Sequence, residues 1–327
     1  MEGSRGKVCV TGGTGYIGSW LVMKLLEHGY SVNTTMRPDP EHKRDISYLK
    51  NLPGASEKLQ IFEADLNNPG SFDAAIEGCI GVFHTAAFVD LTNSKPEEEV
   101  TRTAVKGVLG ILKACSKSKT VKRIIHVSSQ AAVVFNGKEA DIMDESFWTD
   151  IDYVKDVLKF DESYYVSKTL AEKAAIDFAE EHGLDLVTVN PPFVSGPFIC
   201  PQLPDSVQNT LAILFGKEDM YPGLCNTSMV HIDDVVRALI FLFENPDAKG
   251  RYNCSSVLIT LQEMAEHFTA KYPEFKIPAI ESLKEVKGLT VPGLSSRKLL
   301  DSGFKFKYGL EEIYVGAIQC CKEKGYL

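Results

Sequence analysis

The amino-acid sequence predicts an α/β protein, a doubly wound parallel sheet followed by a smaller C-terminal α/β lobe. Three observations point there. A β-branched run at Val8-Cys9-Val10-Thr11 enters a glycine turn, where Gly12, Gly15 and Gly18 stand three apart, and a helical pattern follows at once. Short apolar runs then alternate with amphipathic helix patterns as far as residue 190. Beyond residue 190 the alternation breaks down. The expected organisation is one domain over 1–190, to which 228–245 returns, and a second lobe built from 191–227 and 246–327.

The first helix is carried by Trp20, Leu21, Leu25 and Leu26 and is closed by Gly29. Unpaired N–H groups in its first turn, and the positive end of its dipole, favour a diphosphate at that end. Glycine is needed because a side chain would hold the phosphates off the backbone and the helix off the strand. Strand, turn and helix in that order make this a Rossmann-type dinucleotide site rather than an ordinary turn. Gly12, Thr14, Gly15, Tyr16, Ile17 and Gly18 are the expected cofactor contacts.

The second strand, Tyr30 to Met36, runs into Arg37, with Lys43 and Arg44 just beyond. An NAD site of this architecture places an acid about 20 residues past the glycines, on the ribose hydroxyls. No acid ends this strand, and a guanidinium there suits a 2′-phosphate, so the expected cofactor is NADP(H). The alternative is a solvated basic loop.

Leu59 to Ala64 is a third strand, ending at Asp65-Leu66. That pair can bond the adenine amine and cover its ring; alternatively Asp65 caps the turn before a Pro69–Ile76 helix. Ile80 to His84 is the fourth strand, and the small residues Thr85, Ala86 and Ala87 let the next loop lie against pyrophosphate and ribose. His84, at a buried strand end, reads as a packed histidine rather than a base. Pro96 to Ser116 forms a long helix whose Glu97-Glu98-Glu99 suit a helix N-terminus.

Val121 to Val127 is the fifth strand, with Ser128-Ser129 at its carboxyl end, where ligands of open parallel sheets bind. A helix from Phe160 to His182 carries Tyr164-Tyr165-Val166-Ser167-Lys168, and Leu184 to Val189 is the sixth strand. Ser195-Gly196-Pro197 reads as a loop. Farther on come a strand Ser228–His231, a helix Val235–Phe243 capped by Asp233 or Asp234, a strand Gly250–Cys254, and helices Leu261–Ala270 and Glu311–Lys322.

Composition narrows the function. A net charge of -9 disfavours nucleic acid or an anionic membrane as partner. No apolar run reaches the roughly 18 residues that a membrane span needs. The start, Met1 to Lys7, has no apolar core of a secretory signal, so a cytoplasmic protein is expected. The eight cysteines are scattered, with no C-x-x-C pair and no Cys/His cluster at ligand spacing; they read as thiols, with no metal.

The chemistry is read from Ser129, Tyr164 and Lys168. Tyr164 and Lys168, four apart, share a helix face. A nearby ammonium lowers the tyrosine pKa, unperturbed at about 10, and makes its hydroxyl a usable proton donor to a developing alkoxide. Ser129 would bond the carbonyl oxygen, and Lys168 would also hold the nicotinamide ribose.

At these residues the chain resembles the dihydroflavonol 4-reductase group of extended short-chain dehydrogenases/reductases, over essentially its whole length. The stretches that carry this are Val10 to Gly15, Lys119 to Arg123, Tyr165 to Glu172 and Gly250 to Ser255. Ala317 to Leu327 and Leu52 to Leu59 are most similar to the isoflavanone-reducing branch of that group. The resemblance implies Ser129, Tyr164 and Lys168 as the triad and Arg37 with Arg44 on the 2′-phosphate. It also implies Asp65-Leu66 on adenine, and Pro191 with Ser206 along the cofactor. Dihydroflavonol reductases carry Asn or Asp where this chain has Val134, and Pro where it has Phe88. A donor is lost and an aromatic gained.

The expected activity is NADPH-dependent reduction of a ketone or aldehyde on an apolar aromatic or polycyclic plant metabolite, isoflavanone (vestitone)-like or alkaloid-like, by a monomer or homodimer. Phe88, Val134 and Phe193 are the expected substrate contacts. Two alternatives share the fold. A nucleotide-sugar epimerase or dehydratase needs a polar pocket, whereas 191–227 offers mainly Pro192, Phe193, Phe198, Leu203, Leu211 and Leu214. A non-catalytic NADP sensor typically lacks the Tyr/Lys pair, which this chain keeps.

Overall fold

The computed structural model describes residues 5–39, 45–88, 95–158, 162–288 and 290–327. Its strands are β1 (Lys7–Thr11), β2 (Ser31–Met36), β3 (Leu59–Glu63), β4 (Gly81–His84), β5 (Arg123–Val127), β6 (Ile142–Met143), β7 (Leu186–Asn190), β8 (Phe193–Ser195), β9 (Asn226–His231), β10 (Gly250–Asn253), β11 (Val257–Thr260) and β12 (Gly293–Leu294). Its long helices are α1 (Tyr16–Glu27), α2 (Glu97–Lys117), α3 (Glu162–Glu181), α4 (Ile232–Glu244), α5 (Leu261–Lys271) and α6 (Leu310–Glu323). No described helix is long and apolar enough to cross a membrane.

A seven-stranded sheet in the order β10-β7-β5-β4-β1-β2-β3 forms the centre, every pairing parallel. Alternate strand residues face opposite sides, as the pleat requires. Val8 and Val10 join a cluster with Leu21 and Leu25 of α1 and Val235 and Leu239 of α4. Cys9, Val82 and Ile124 point the other way, onto Ile111, Leu112 and Cys115 of α2 and Ala175 of α3. The result is the expected doubly wound fold, with connections reversing direction between β1 and β4. The lobe has its own core, with Phe268, Ile313 and Tyr314 among its buried members.

Three sequence expectations are corrected. Ser195 ends β8, which pairs parallel with β9 through Phe193 and Met229; three residues are too few to show a period. The domain boundaries also run differently. β9 joins β8 and β11 in a small three-stranded sheet, whereas β10, expected in the lobe, adds to the large sheet beside β7. The chain thus crosses between the two bodies more often than its pattern discloses.

The acid pair lies in the first turn of α4, and neither residue is its N-cap. His231 is the N-cap, its Nδ1 accepting from the Asp233 N–H at 3.1 Å. Asp233 instead accepts from Trp20 Nε1 at 3.0 Å, which ties α4 to α1. The buried Asp234 accepts from the N–H groups of Lys307 and Tyr308, each at 3.0 Å, and pins the chain ahead of α6. Tertiary donors outcompete the local cap.

Gly110 shows how tightly α2 is seated. A Cβ built on it would lie 2.3 Å from Cβ of Pro69, part of a ring that cannot swing aside. Alanine is favoured over glycine inside a helix by about 0.8–1 kcal/mol, but overpacking a close contact costs about 1–3 kcal/mol. Gly110→Ala is therefore expected to lower the midpoint of chemical denaturation. A raised midpoint would show that the helix shifts without cost.

Candidate active site

The carboxyl ends of β1, β4, β5 and β7 meet at one edge of the sheet, and the candidate residues gather there. At Gly12, with φ +72°, a Cβ would sit 2.9 Å from Cα of Ala86 in the loop after β4. At Gly13 it would lie 1.8 Å from Thr34 Oγ1, and at Gly18 2.2 Å from the Gly12 carbonyl oxygen. Gly13 was not among the expected residues, yet it meets the closest obstacle of the group. Gly15 serves differently. It is the N-cap of α1, and no side chain caps the helix. Uncapped N–H groups at the head of a twelve-residue helix, behind a turn with no room for side chains, fit a dinucleotide diphosphate.

The turn is fixed from both sides. Gly12 N donates to Thr35 Oγ1 at 3.0 Å and Gly13 N to the Thr35 carbonyl at 2.9 Å. Thr85 Oγ1 donates to the Thr11 carbonyl at 2.6 Å, and the Ala86 N–H to Thr11 Oγ1 at 3.2 Å. The Thr14 carbonyl accepts from Tyr48 at 3.1 Å. The Tyr16 hydroxyl reaches the Gly196 carbonyl at 3.2 Å, and Ile17 packs on the core, so what these two can offer a diphosphate is backbone N–H.

Arg37 stands exposed just past β2. Arg44 lies outside the described residues. Asp65 Oδ1 accepts from the Asn67 backbone at 2.9 Å, closing a local turn. Leu66 packs beneath Gly107 of α2 and lines a small cavity with Ala86, Ala87, Phe88 and Lys168. The Pro191 carbonyl accepts from Gln130 N at 2.9 Å, and Ser206 Oγ donates to the Val194 carbonyl at 2.7 Å.

Ser129 follows β5 in extended geometry, and its Oγ accepts from Ala131 N at 3.1 Å. The Tyr164 hydroxyl donates to the same oxygen at 3.3 Å. One turn along α3, Lys168 Nζ lies 5.8 Å from the Tyr164 ring centre. Tyr165 instead stacks on Phe135, ring centres 4.1 Å apart. Burial pulls the Lys168 ammonium down to about 8, against the opposing field of Glu172. Beneath it His84 and His126 lie ring to ring at 4.9 Å, and His84 Nδ1 is 2.9 Å from Thr11 Oγ1. Burial pushes both imidazoles down, His126 to about 3, with Lys168 adding to the effect. Both are neutral, packed rings.

The expected substrate residues do not share one cavity. Phe88 lies in the small cavity beside Lys168. Val134 is buried and borders a separate cavity of about 520 Å³ with Phe135, Tyr153, Leu158 and Val291. Phe193 packs half-buried against the lobe core. Sequence reasoning also missed Glu172, Asn190 and Arg251, which form a buried polar cluster behind Ser129. The available signal was the spacing of Glu172, four residues after Lys168.

Residues 8–255 match the NAD dependent epimerase/dehydratase family. The chain is 56% identical over 327 residues to vestitone reductase of Medicago sativa, all of each chain being covered. It is 44% identical to dihydroflavonol 4-reductase of Callistephus chinensis, covering 100% of this chain and 89% of the relative. The crystal structure of vestitone reductase from alfalfa superposes with a TM-score of 0.90 at 54% identity, over 99% of this chain and 100% of that one. Yeast methylglyoxal/isovaleraldehyde reductase, complexed with NADPH, superposes with a TM-score of 0.80 at 25% identity, covering 98% and 100%.

The neutral histidine pair has a consequence for stability. An unfolded histidine titrates near pH 6.5. His126 in the fold does so at about 3, so the unfolded chain binds more protons between those values. Its contribution is complete above about pH 6.5 and is lost as pH falls toward 3. Thermal midpoints are expected to fall as pH drops from about 7 to 4.5, and to fall less steeply in His126→Gln. Equal slopes for the two proteins would remove His126 as a source.

Proposed function

The chain belongs to the NAD dependent epimerase/dehydratase family, in its dihydroflavonol 4-reductase-like branch, and is an NADP(H)-dependent reductase; from that premise we propose that it reduces the ketone of an isoflavanone (vestitone)-type plant metabolite to the alcohol. The observation that carries this is the Tyr164 hydroxyl at 3.3 Å from Ser129 Oγ, with Lys168 one turn along the same helix and the uncapped head of α1 at the same sheet edge. Similarity to vestitone reductase supports the substrate class.

NADPH, when bound, would supply the hydride. The N–H groups at the head of α1 would hold its diphosphate, Arg37 its 2′-phosphate, and Asp65 with Leu66 its adenine. Ser129 Oγ, held by the Ala131 N–H, donates its own proton to the substrate oxygen and orients it. Tyr164 delivers a proton to that oxygen as charge develops, and the Lys168 ammonium favours the tyrosinate left behind. The neutral histidines add no charge to this corner, and its other walls are largely apolar.

Three measurements test the reading. Arg37→Asp should weaken NADPH by about 1.5–3 kcal/mol, roughly ten- to hundredfold, and NADH far less. Equal losses in a binding titration would refute the 2′-phosphate role. Tyr164→Phe should remove most turnover and leave NADPH binding near wild type, whereas Tyr165→Phe, which keeps its ring on Phe135, should be milder. An exchange of these behaviours would place the proton donor wrongly. NADPH consumption against isoflavanones, dihydroflavonols, aldehydes and alkaloid ketones should favour the isoflavanone; preference for another class would overturn the substrate assignment.

A further inference from the structure

Glu172 takes no part in the chemistry above, yet it lies one turn past Lys168 on α3 and is completely buried. Its carboxylate accepts from Ser128 Oγ at 2.8 Å, Thr188 Oγ1 at 2.6 Å, Asn190 Nδ2 at 2.8 Å and Arg251 Nε at 3.0 Å. The donors come from the end of β5, from β7 and from β10. Asn190 Nδ2 also donates to the Ser129 carbonyl at 3.1 Å. Arg251 lies 3.5 Å over the Trp148 ring and donates to the carbonyls of Glu145 and Phe147.

A buried ion pair contributes little net stability, and apolar residues of similar volume often do as well. This one sits where a charge has a use. Lys168 faces Glu172 and the Tyr164 ring on its own helix, and the neutral His84 and His126 from β4 and β5. The loop after β4 presents Ala86, Ala87 and Phe88, and α2 presents Ala104 and Val108, all uncharged. Glu172 is thus the anion whose field opposes the desolvation of Lys168.

We propose that Glu172, anchored by Arg251, is a positioning residue for the reduction: it fixes the Ser129 main chain through Asn190 and supplies the negative charge that keeps Lys168 an ammonium. This rests on the reading of Ser129, Tyr164 and Lys168 as the catalytic groups. Loss of the charge releases Lys168 to the full effect of burial, and its proton leaves at lower pH. Loss of geometry alone leaves that titration where it is.

The test reads Lys168 directly in the full chain without cofactor or substrate. Its reactivity toward trace acetic anhydride is followed against pH by mass spectrometry of the Lys168 peptide. In Glu172→Gln the midpoint should fall by about one pH unit, the size of effect a close opposite charge exerts. The alkaline limb of kcat/KM should move the same way. Arg251→Lys keeps both charges, so the midpoint should stay while kcat falls with the lost hydrogen bonds. A folded Glu172→Gln protein with an unmoved midpoint overturns the proposal, as does an Arg251→Lys midpoint displaced as far as that of Glu172→Gln. Should Glu172→Gln not fold, Glu172→Gln/Arg251→Met is compared with Arg251→Met alone, so that the lost guanidinium charge cancels; a midpoint no lower in the double variant than in Arg251→Met overturns the proposal. Failure of the catalytic reading looks different: Tyr164→Phe would keep its turnover while the Lys168 midpoint still shifted.

Discussion

The constraint on which the structure depends is the close approach of backbone to backbone at the end of β1. Gly12 abuts Ala86, Gly13 abuts Thr34, and Gly18 abuts the Gly12 carbonyl, all at separations no Cβ could enter. This brings β2, the loop after β4 and the head of α1 to one point. Thr34 is locked by its hydroxyl on the Val10 carbonyl at 2.8 Å, so it cannot retreat to admit a side chain. The exposed N–H groups of α1 then face the same edge as the ends of β4 and β5. One packing event thus sets the head of α1 beside the strand ends that carry Ser129 and His84.

Charge at that edge is managed by desolvation. Parallel strands are covered on both faces, so groups at their carboxyl ends lose water. His84 and His126 respond by staying neutral; away from that edge, Cys9 within β1 and Cys115 on α2 stay protonated, their thiols pushed up by burial. A buried cysteine of that kind is a packing element rather than a nucleophile. Glu172 and Arg251 instead form a buried ion pair, each ringed by donors or acceptors. Lys168 stands between these regimes, lowered to about 8 yet faced by a carboxylate.

What the sequence disclosed follows from range. The glycine turn, the sheet strands and the Tyr164–Lys168 spacing are local, and each was legible. Gly13 was not, because its need arises from Thr34 on the next strand. The acids Asp233 and Asp234 look like caps in a linear pattern, yet their partners Trp20, Lys307 and Tyr308 are remote in the chain. Glu172 was visible as a letter in a resembling stretch. Its function is not, because Ser128, Thr188, Asn190 and Arg251 converge on it only after the sheet is assembled. β8 and β10 were misplaced for the same reason: a strand of three or four residues is defined by what it pairs with.

The cores beyond the sheet are built from other residues. The lobe packs Phe268, Ile313 and Tyr314 in a core of its own, which meets the core beneath the glycine turn through Tyr16 and Tyr48. Val134 belongs to a fourth cluster, with Val133, Phe135, Met143 and Val166. That cluster joins Ser129 to α3, because Tyr164 and Tyr165 pack on it from the other side. A polar group there would need a partner within a wall of branched and aromatic carbon, and an unpaired one costs about 1–3 kcal/mol. The packing that seats Tyr164 is thus built from branched and aromatic carbon, and Val134 adds no hydrogen-bond partner to it.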